Sequence, residues 1–178
     1  MRFPLSSAAL AAPFLLLAGC VGAPEHPPAP APAPGPAPAT LPAPPVPAPV
    51  EWQDRATTPG DWRYQVDGAG SVALFGAGPQ TSLFILRCDK AARQVRALRS
   101  GIAQTAMTVR TSYGAVSWPA SAAAGTVPAT QAIRAANDAT LDQIAYSRGR
   151  FAVEVQGLET LILPAWAEVS RVVEDCRG

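Results

Sequence analysis

The chain has 178 residues, of which 15% are charged, and a formal net charge of +1. Near neutrality argues against a nucleic-acid partner, because phosphate recognition calls for a basic excess. A single histidine, His26, removes the usual general base at neutral pH, and with it Ser-His-Asp and Cys-His catalysis and most zinc sites.

The chain opens with Met1-Arg2-Phe3, and the stretch from Phe3 to Gly19 is uncharged and rich in Leu and Ala. A basic start, an apolar middle and small residues at a cleavage site make a secretory signal. A spanning helix is the competing reading. The stretch is at the short limit for crossing a bilayer, and Pro13 and two serines weaken it. Its end, Leu17-Ala18-Gly19-Cys20, resembles the lipobox of bacterial lipoproteins. That resemblance implies that residues 1–19 are removed, and that Cys20 becomes the N-terminus, carrying lipid on sulfur and an acyl chain such as palmitate on nitrogen. Two or more chains hold a protein stably on a membrane. The following Val21-Gly22 differs from the acidic residue that marks inner-membrane retention, which favours the outer membrane.

Residues 20–50 form the second segment. Thirteen of the twenty prolines fall between Pro24 and Pro49. Proline fixes φ and lacks an amide hydrogen, which rules out helix and sheet. Alternating Pro-Ala favours polyproline II and a reach on the order of 80 Å at ~3.1 Å per residue. The segment reads as a spacer between anchor and domain. A ligand for a proline-recognition module is the alternative, but no flanking arginine or repeated aromatic fixes an orientation.

Residues 51–178 are one domain's worth of chain. The expected fold is mainly β, an antiparallel sandwich or bent sheet with a short helix and a C-terminal helix, closed by one disulfide. Trp62–Val66 alternates large and polar residues, Asp67-Gly-Ala-Gly70 is a turn, and Val72–Phe75 returns. Ser82–Cys88 reads as a buried strand paired with Gln94–Arg99. Thr105–Thr111 puts Met107 and Val109 on one face. Tyr113-Gly114 turns the chain into Ala115–Trp118. Further strands are expected near Val127–Arg134, Phe151–Gln156 and Thr160–Leu163. Asn137 or Asp138 caps a helix through Leu141, Ile144 and Ala145 that ends near Gly149. A second helix follows Pro164, with Trp166, Val169, Val173 and Cys176 as its apolar stripe. Cys88 and Cys176, an even pair in an exported domain, are expected to form the disulfide.

Few residues single themselves out for chemistry. No P-loop or dinucleotide loop is present, so no cofactor is expected, nor a metal. Asp142, Glu154, Glu159 and Glu168 have no spacing that marks a pair, so the domain is expected to be non-catalytic, with a carboxylate-dependent hydrolase as a distant alternative. Tyr146-Ser-Arg-Gly-Arg-Phe151 could hold an anion through Arg148 and Arg150. In the structural reading Gly149 caps the helix and the arginines meet its C-terminal dipole. Of the tryptophans, Trp62 and Trp166 are assigned to the core. Trp118 is placed at an edge and Trp52 at the spacer junction, where either could stack on a sugar.

The leader, the Trp-containing opening strand, Leu86-Arg87-Cys88 and the final cysteine in a C-terminal helix are together similar to small proteobacterial envelope lipoproteins, and more faintly to type VI secretion accessory proteins. Ser147–Glu154, Leu163-Pro-Ala-Trp166 and Glu174-Asp-Cys-Arg177 resemble a C-terminal block of alphaproteobacterial lipoproteins without assigned function. The resemblance covers about the last third of the chain and implies no catalytic residue. The sequence thus leads to a lipid-anchored envelope protein with a binding or scaffolding domain for a protein partner, or alternatively for peptidoglycan or another glycan.

Overall fold

A computed structural model describes Gly22 and residues 50–78 and 80–178. The expected signal segment 1–19, Cys20, the spacer as far as Pro49 apart from Gly22, and Pro79 lie outside the described residues. Among the described residues no helix is long and apolar enough to cross a membrane.

The described chain forms two antiparallel sheets. The first has six strands, β1 (Asp61–Asp67), β2 (Gly70–Gly76), β3 (Ser82–Asp89), β4 (Gln94–Ser100), β8 (Ala129–Ala135) and β7 (Ser121–Ala122), in the order β1-β2-β3-β4-β8-β7. The second runs β10-β9-β5-β6, from β10 (Leu161–Pro164) and β9 (Arg150–Glu154) to β5 (Ala106–Thr111) and β6 (Gly114–Pro119). The mainly β class and the disulfide follow the sequence expectation, and β7, only two residues long, is an addition.

Local chemistry sets these elements. Asp67 Oδ1 accepts from the amides of Ala69 and Gly70 at 2.9 and 3.0 Å, closing the β1–β2 turn. At Gly76 the β2–β3 register shifts, and a Cβ there would stand 1.9 Å from the Thr81 carbonyl oxygen, so only glycine lets the strands approach. The chain passes from first sheet to second after β4 and back after β6. Buried Thr130 holds the first passage, donating to the Ile102 carbonyl at 2.7 Å and accepting from the Gln104 amide at 3.0 Å.

The core lies between the sheets. Trp62 centres an aromatic cluster, 5.3 Å from Phe75, 6.4 Å from Phe84 and 6.5 Å from Phe151 between ring centroids. Its indole nitrogen donates to the Pro164 carbonyl at 2.8 Å, joining β1 to β10. Leu86, Val95, Met107, Val109, Val153 and Leu163 complete the layer, all essentially inaccessible. Arg99 shares the inner face of Val95 and Ala97 and is 7% exposed. Its guanidinium donates to the carbonyls of Ser100 at 2.6 Å and Glu159 at 3.2 Å, and burial lowers its pKa.

Two helices complete the domain, α1 (Ala139–Ala145) and α2 (Ala167–Arg177). Of the two candidate caps for α1, Asp138 is used, accepting from the Thr140 amide at 2.8 Å. Burial pushes the Asp138 pKa up, but hydrogen bonds from Arg134 and Thr140 outweigh it and the net shift is downward. An 11-residue helix such as α2 is too short to persist alone in water. It is held by Val169, Val172 and Val173, all buried, each contributing roughly 1.5–3 kcal/mol. The disulfide from Cys176 to Cys88 fixes it to β3 across 88 positions. Arg177 donates to both carboxylate oxygens of Asp142, at 2.7 and 3.0 Å, and binds α1 to α2.

Two expectations change. Trp166 is not core: it occupies the N-cap of α2 in extended conformation and is 47% exposed, so the stripe starts at Val169. Gly149 does not cap α1. The helix stops at Ala145 with Tyr146 as its cap, and Gly149 at φ +74° turns the chain into β9. Buried Ser147 makes that turn, accepting from the Ser112 amide at 3.0 Å and donating to the Arg150 carbonyl at 2.5 Å.

Candidate functional site

Residues 50–58 lie over the outer side of the second sheet. Thr58 pairs with the edge of β10: its amide donates to the Ile162 carbonyl at 2.8 Å, and its hydroxyl accepts from the Ile162 amide at 2.9 Å. Ahead of it, Trp52–Asp54 forms a 3-10 turn against β9. Ala152 and Ile162 alternate with the core residues Phe151, Val153, Leu161 and Leu163 and so point away from the core, yet both are buried. Coverage by the N-terminal segment explains this.

Arg150 holds the segment down. Its Nη1 donates to the carbonyls of Gln53 at 3.2 Å and Arg55 at 2.8 Å. Arg150 therefore begins β9 and clasps the turn, rather than meeting a helix dipole as the sequence suggested. Arg148 is exposed and its backbone amide donates to the Ser112 hydroxyl at 3.2 Å. The two arginines of the Ser-Arg-Gly-Arg string thus have different tasks.

The turn and the sheet enclose a cleft of about 470 Å³. Glu51, Trp52 and Arg55 form one wall, Arg110 and Glu154 the other, and Thr160 closes an end. Arg110 Nε donates to Glu154 Oε1 at 2.7 Å between β5 and β9. The hydrogen bond that Arg110 donates to Glu154 is the largest cause of the upward shift of the Arg110 pKa, and Glu51 adds to it through space. The cleft thus brings a partly exposed indole, an ion pair and a second carboxylate into one lining. An aromatic face beside planar hydrogen-bonding groups suits a sugar ring or a peptide with polar termini. Two carboxylates line the cleft, but Arg110 engages one of them directly and interacts with the other. Among the described residues no group of three or more His, Cys, Asp or Glu could hold a metal.

The site residues named from sequence separate. Trp52 lines the cleft and Arg150 supports it from behind. Trp118 is on an edge strand as expected, but its ring is wholly buried under the Arg134 guanidinium, 5.8 Å from the ring centre, and has no face to stack on a ligand. Cys88 and Cys176 are bridged, and Cys20 lies outside the described residues. Arg55, Arg110, Glu154 and Thr160 were not singled out as a group. Period-two alternation already placed Arg110 opposite Met107 and Val109, and Glu154 opposite Val153 and Val155. Only the β5–β9 pairing, 44 positions apart, brings them together.

A second feature stands on the first sheet. Its inner face is covered by α2 and the second sheet. On its outer face the register lines up Leu74, Ile85 and Leu98 directly across β2, β3 and β4. Ile133, 41% exposed, and Val127, 69% exposed, extend the apolar area. A shallow cavity of about 300 Å³ lies between Ile85, Leu98 and the 123–127 loop.

No family model, no curated protein and no solved structure matches this chain.

Proposed function

We propose that the chain is a lipid-anchored protein of the bacterial cell envelope, with Cys20 as the lipidated residue and a non-catalytic domain that binds a protein partner. The outer membrane is the favoured site of the anchor. The observation that carries the binding role is the outer face of the first sheet. Leu74, Ile85 and Leu98 form a continuous cross-strand row there, and an apolar row flanked by polar side chains is what a protein interface presents at its centre.

Two measurements test this reading. Labelled palmitate should enter the full chain and not its Cys20→Ala variant, and the variant should leave the membrane fraction. Failure of either removes the anchor. A photoreactive residue at Leu98 should give one discrete protein adduct in intact envelopes, while one at Ala91, in the β3–β4 turn, should not. Equal yields from both positions would remove the partner surface.

The cleft beside Trp52 favours a second reading, a module for peptidoglycan or another glycan. Retention of the full chain on purified peptidoglycan, abolished by Trp52→Ala, would support that reading over the first.

A further inference from the structure

The four edges of the two sheets are guarded unequally. An open edge presents unpaired amides and carbonyls, and proteins blunt it with charge, coverage or shortness. The β1 edge carries Asp61, Arg63 and Asp67. The β10 edge is covered by Thr58, and β7 has two residues. The β6 edge has none of these protections. It runs for six residues, Gly-Ala-Val-Ser-Trp-Pro, without a charge, and Gly114, Ala115, Ser117 and Pro119 are exposed.

The hairpin geometry identifies which groups are open. β5 and β6 are joined by two residues, Ser112 and Tyr113, between the paired Thr111 and Gly114. A two-residue loop closes on a hydrogen-bonded pair, and antiparallel pairs then alternate. Gly114, Val116 and Trp118 therefore direct their backbone groups to β5. Ala115 and Ser117 direct both amide and carbonyl outward. Pro119, which has no amide to offer, stands at an outward position, where proline is tolerated.

We propose that this edge pairs with the same edge of a second copy of the chain, antiparallel about a two-fold axis through Val116. The axis must be perpendicular to the sheet for the two inner faces to remain on one side, so residues of equal parity face each other. With Val116 opposite Val116 of the second copy, Ala115 faces Ser117 and Ser117 faces Ala115. All four outward amides and all four outward carbonyls of these residues are then satisfied, and Pro119 is not asked to donate. The uncharged strand makes self-pairing possible, since like charges directly opposite would oppose it. The same register brings Tyr113, 62% exposed, alongside Pro119 of the second copy. The two four-stranded sheets become one of eight strands. This isologous contact leaves the outer face of the first sheet free and does not depend on the partner proposed for it.

The test is sedimentation velocity of the full chain in excess detergent over a concentration series, with Ser117→Pro and Ser117→Lys alongside. Ser117→Pro removes one outward amide per chain, two of the four bonds, at an edge position that does not hydrogen-bond to β5. Ser117→Lys sets charges into the contact without altering the backbone. The wild-type chain should dimerise, and each substitution should raise the dissociation constant by at least about tenfold, while thermal unfolding measured at concentrations where every chain is monomeric is unchanged. If Ser117→Pro fails to fold, Ser117→Lys decides. A wild-type chain that stays monomeric, or a dimer that folded variants leave intact, would overturn the proposal.

Discussion

The Tyr64 hydroxyl donates to Asp175 Oδ2 at 2.5 Å, joining the edge strand β1 to the last turns of α2 across 111 positions. The Arg171 guanidinium lies over the same tyrosine ring, 4.3 Å from its centre. The hydrogen bond stabilises the ionised carboxylate and the neutral phenol. It is the largest cause of both the lowered pKa of Asp175 and the raised pKa of Tyr64.

A pH dependence follows at both ends. Asp175 titrates at 3.8 when unpaired and lower in the folded chain. Its contribution to stability is therefore present above pH 3.8 and is lost as pH falls through the folded value. Tyr64 titrates at 10.0 when unpaired and higher when folded. Its contribution is present below pH 10.0 and is lost as pH rises through the folded value. Tyr64→Phe should thus unfold at a lower temperature than wild type near neutrality and converge with it in acid and in alkali. Melting curves that stay parallel across the whole pH range would contradict the assignment.

The Cys88–Cys176 bridge closes a loop of 88 positions. Replacing both cysteines with alanine should lower unfolding stability by about 2–5 kcal/mol, measured by urea titration. The loss should also appear as faster hydrogen exchange in α2, which the bridge holds to β3. An unchanged urea midpoint would mean that Val169, Val172 and Val173 hold the helix unaided.

Trp118 and Trp166 should respond in opposite ways to truncation. Trp118 is wholly buried, so Trp118→Ala should cost about 3–5 kcal/mol. Trp166 is nearly half exposed, so Trp166→Ala should stay within about 0.5 kcal/mol of wild type. Denaturant titration of the two variants separates them.

Arg150 and Arg148 form another contrasting pair. Arg150→Gln removes the clasp on the Gln53 and Arg55 carbonyls. Global stability should fall by about 0.5–1.5 kcal/mol, the usual net value of one hydrogen bond, because both bonds lie at the surface. Amide exchange across residues 51–55 should accelerate and Trp52 fluorescence should shift. Arg148→Gln should change none of these.

Much of the fold was legible because β structure writes a short period into the chain. Val95 and Ala97, or Met107 and Val109, mark an inner face within a single strand. Asp67-Gly-Ala-Gly70 and Tyr113-Gly114 mark turns through local hydrogen bonding and backbone freedom. Cys88 and Cys176 were readable as a pair because two cysteines in a domain read as exported imply a bridge, and Cys176 falls on the apolar stripe of its helix. What escaped is set by partners distant in sequence. Arg99 continues the inner parity of Val95 and Ala97, but the carbonyl of Glu159 that receives its charge is 60 positions away. Trp118 lies on an edge strand, which suggested exposure. In a sandwich even an edge strand has an inner face, and Trp118 occupies it. Ala152 alternates with Phe151 and Val153 and so faces outward, and nothing in the strand's own pattern tells that residues 50–58 cover it. The cleft was least legible, because its two walls come from the spacer junction and from strands far along the chain.

The disulfide also has a mechanical meaning. The described domain begins at its N-terminal end, where a tether would enter, and the covalent bridge returns almost from the last residue to the middle of the first sheet. A pull applied between Glu51 and Gly178 can peel away β1, β2 and most of β3, but at Cys88 the path jumps to Cys176. Everything from β4 to most of α2 is bypassed and bears no load. Extension is limited to the first part of the domain, and reduction of one bond would release the remainder.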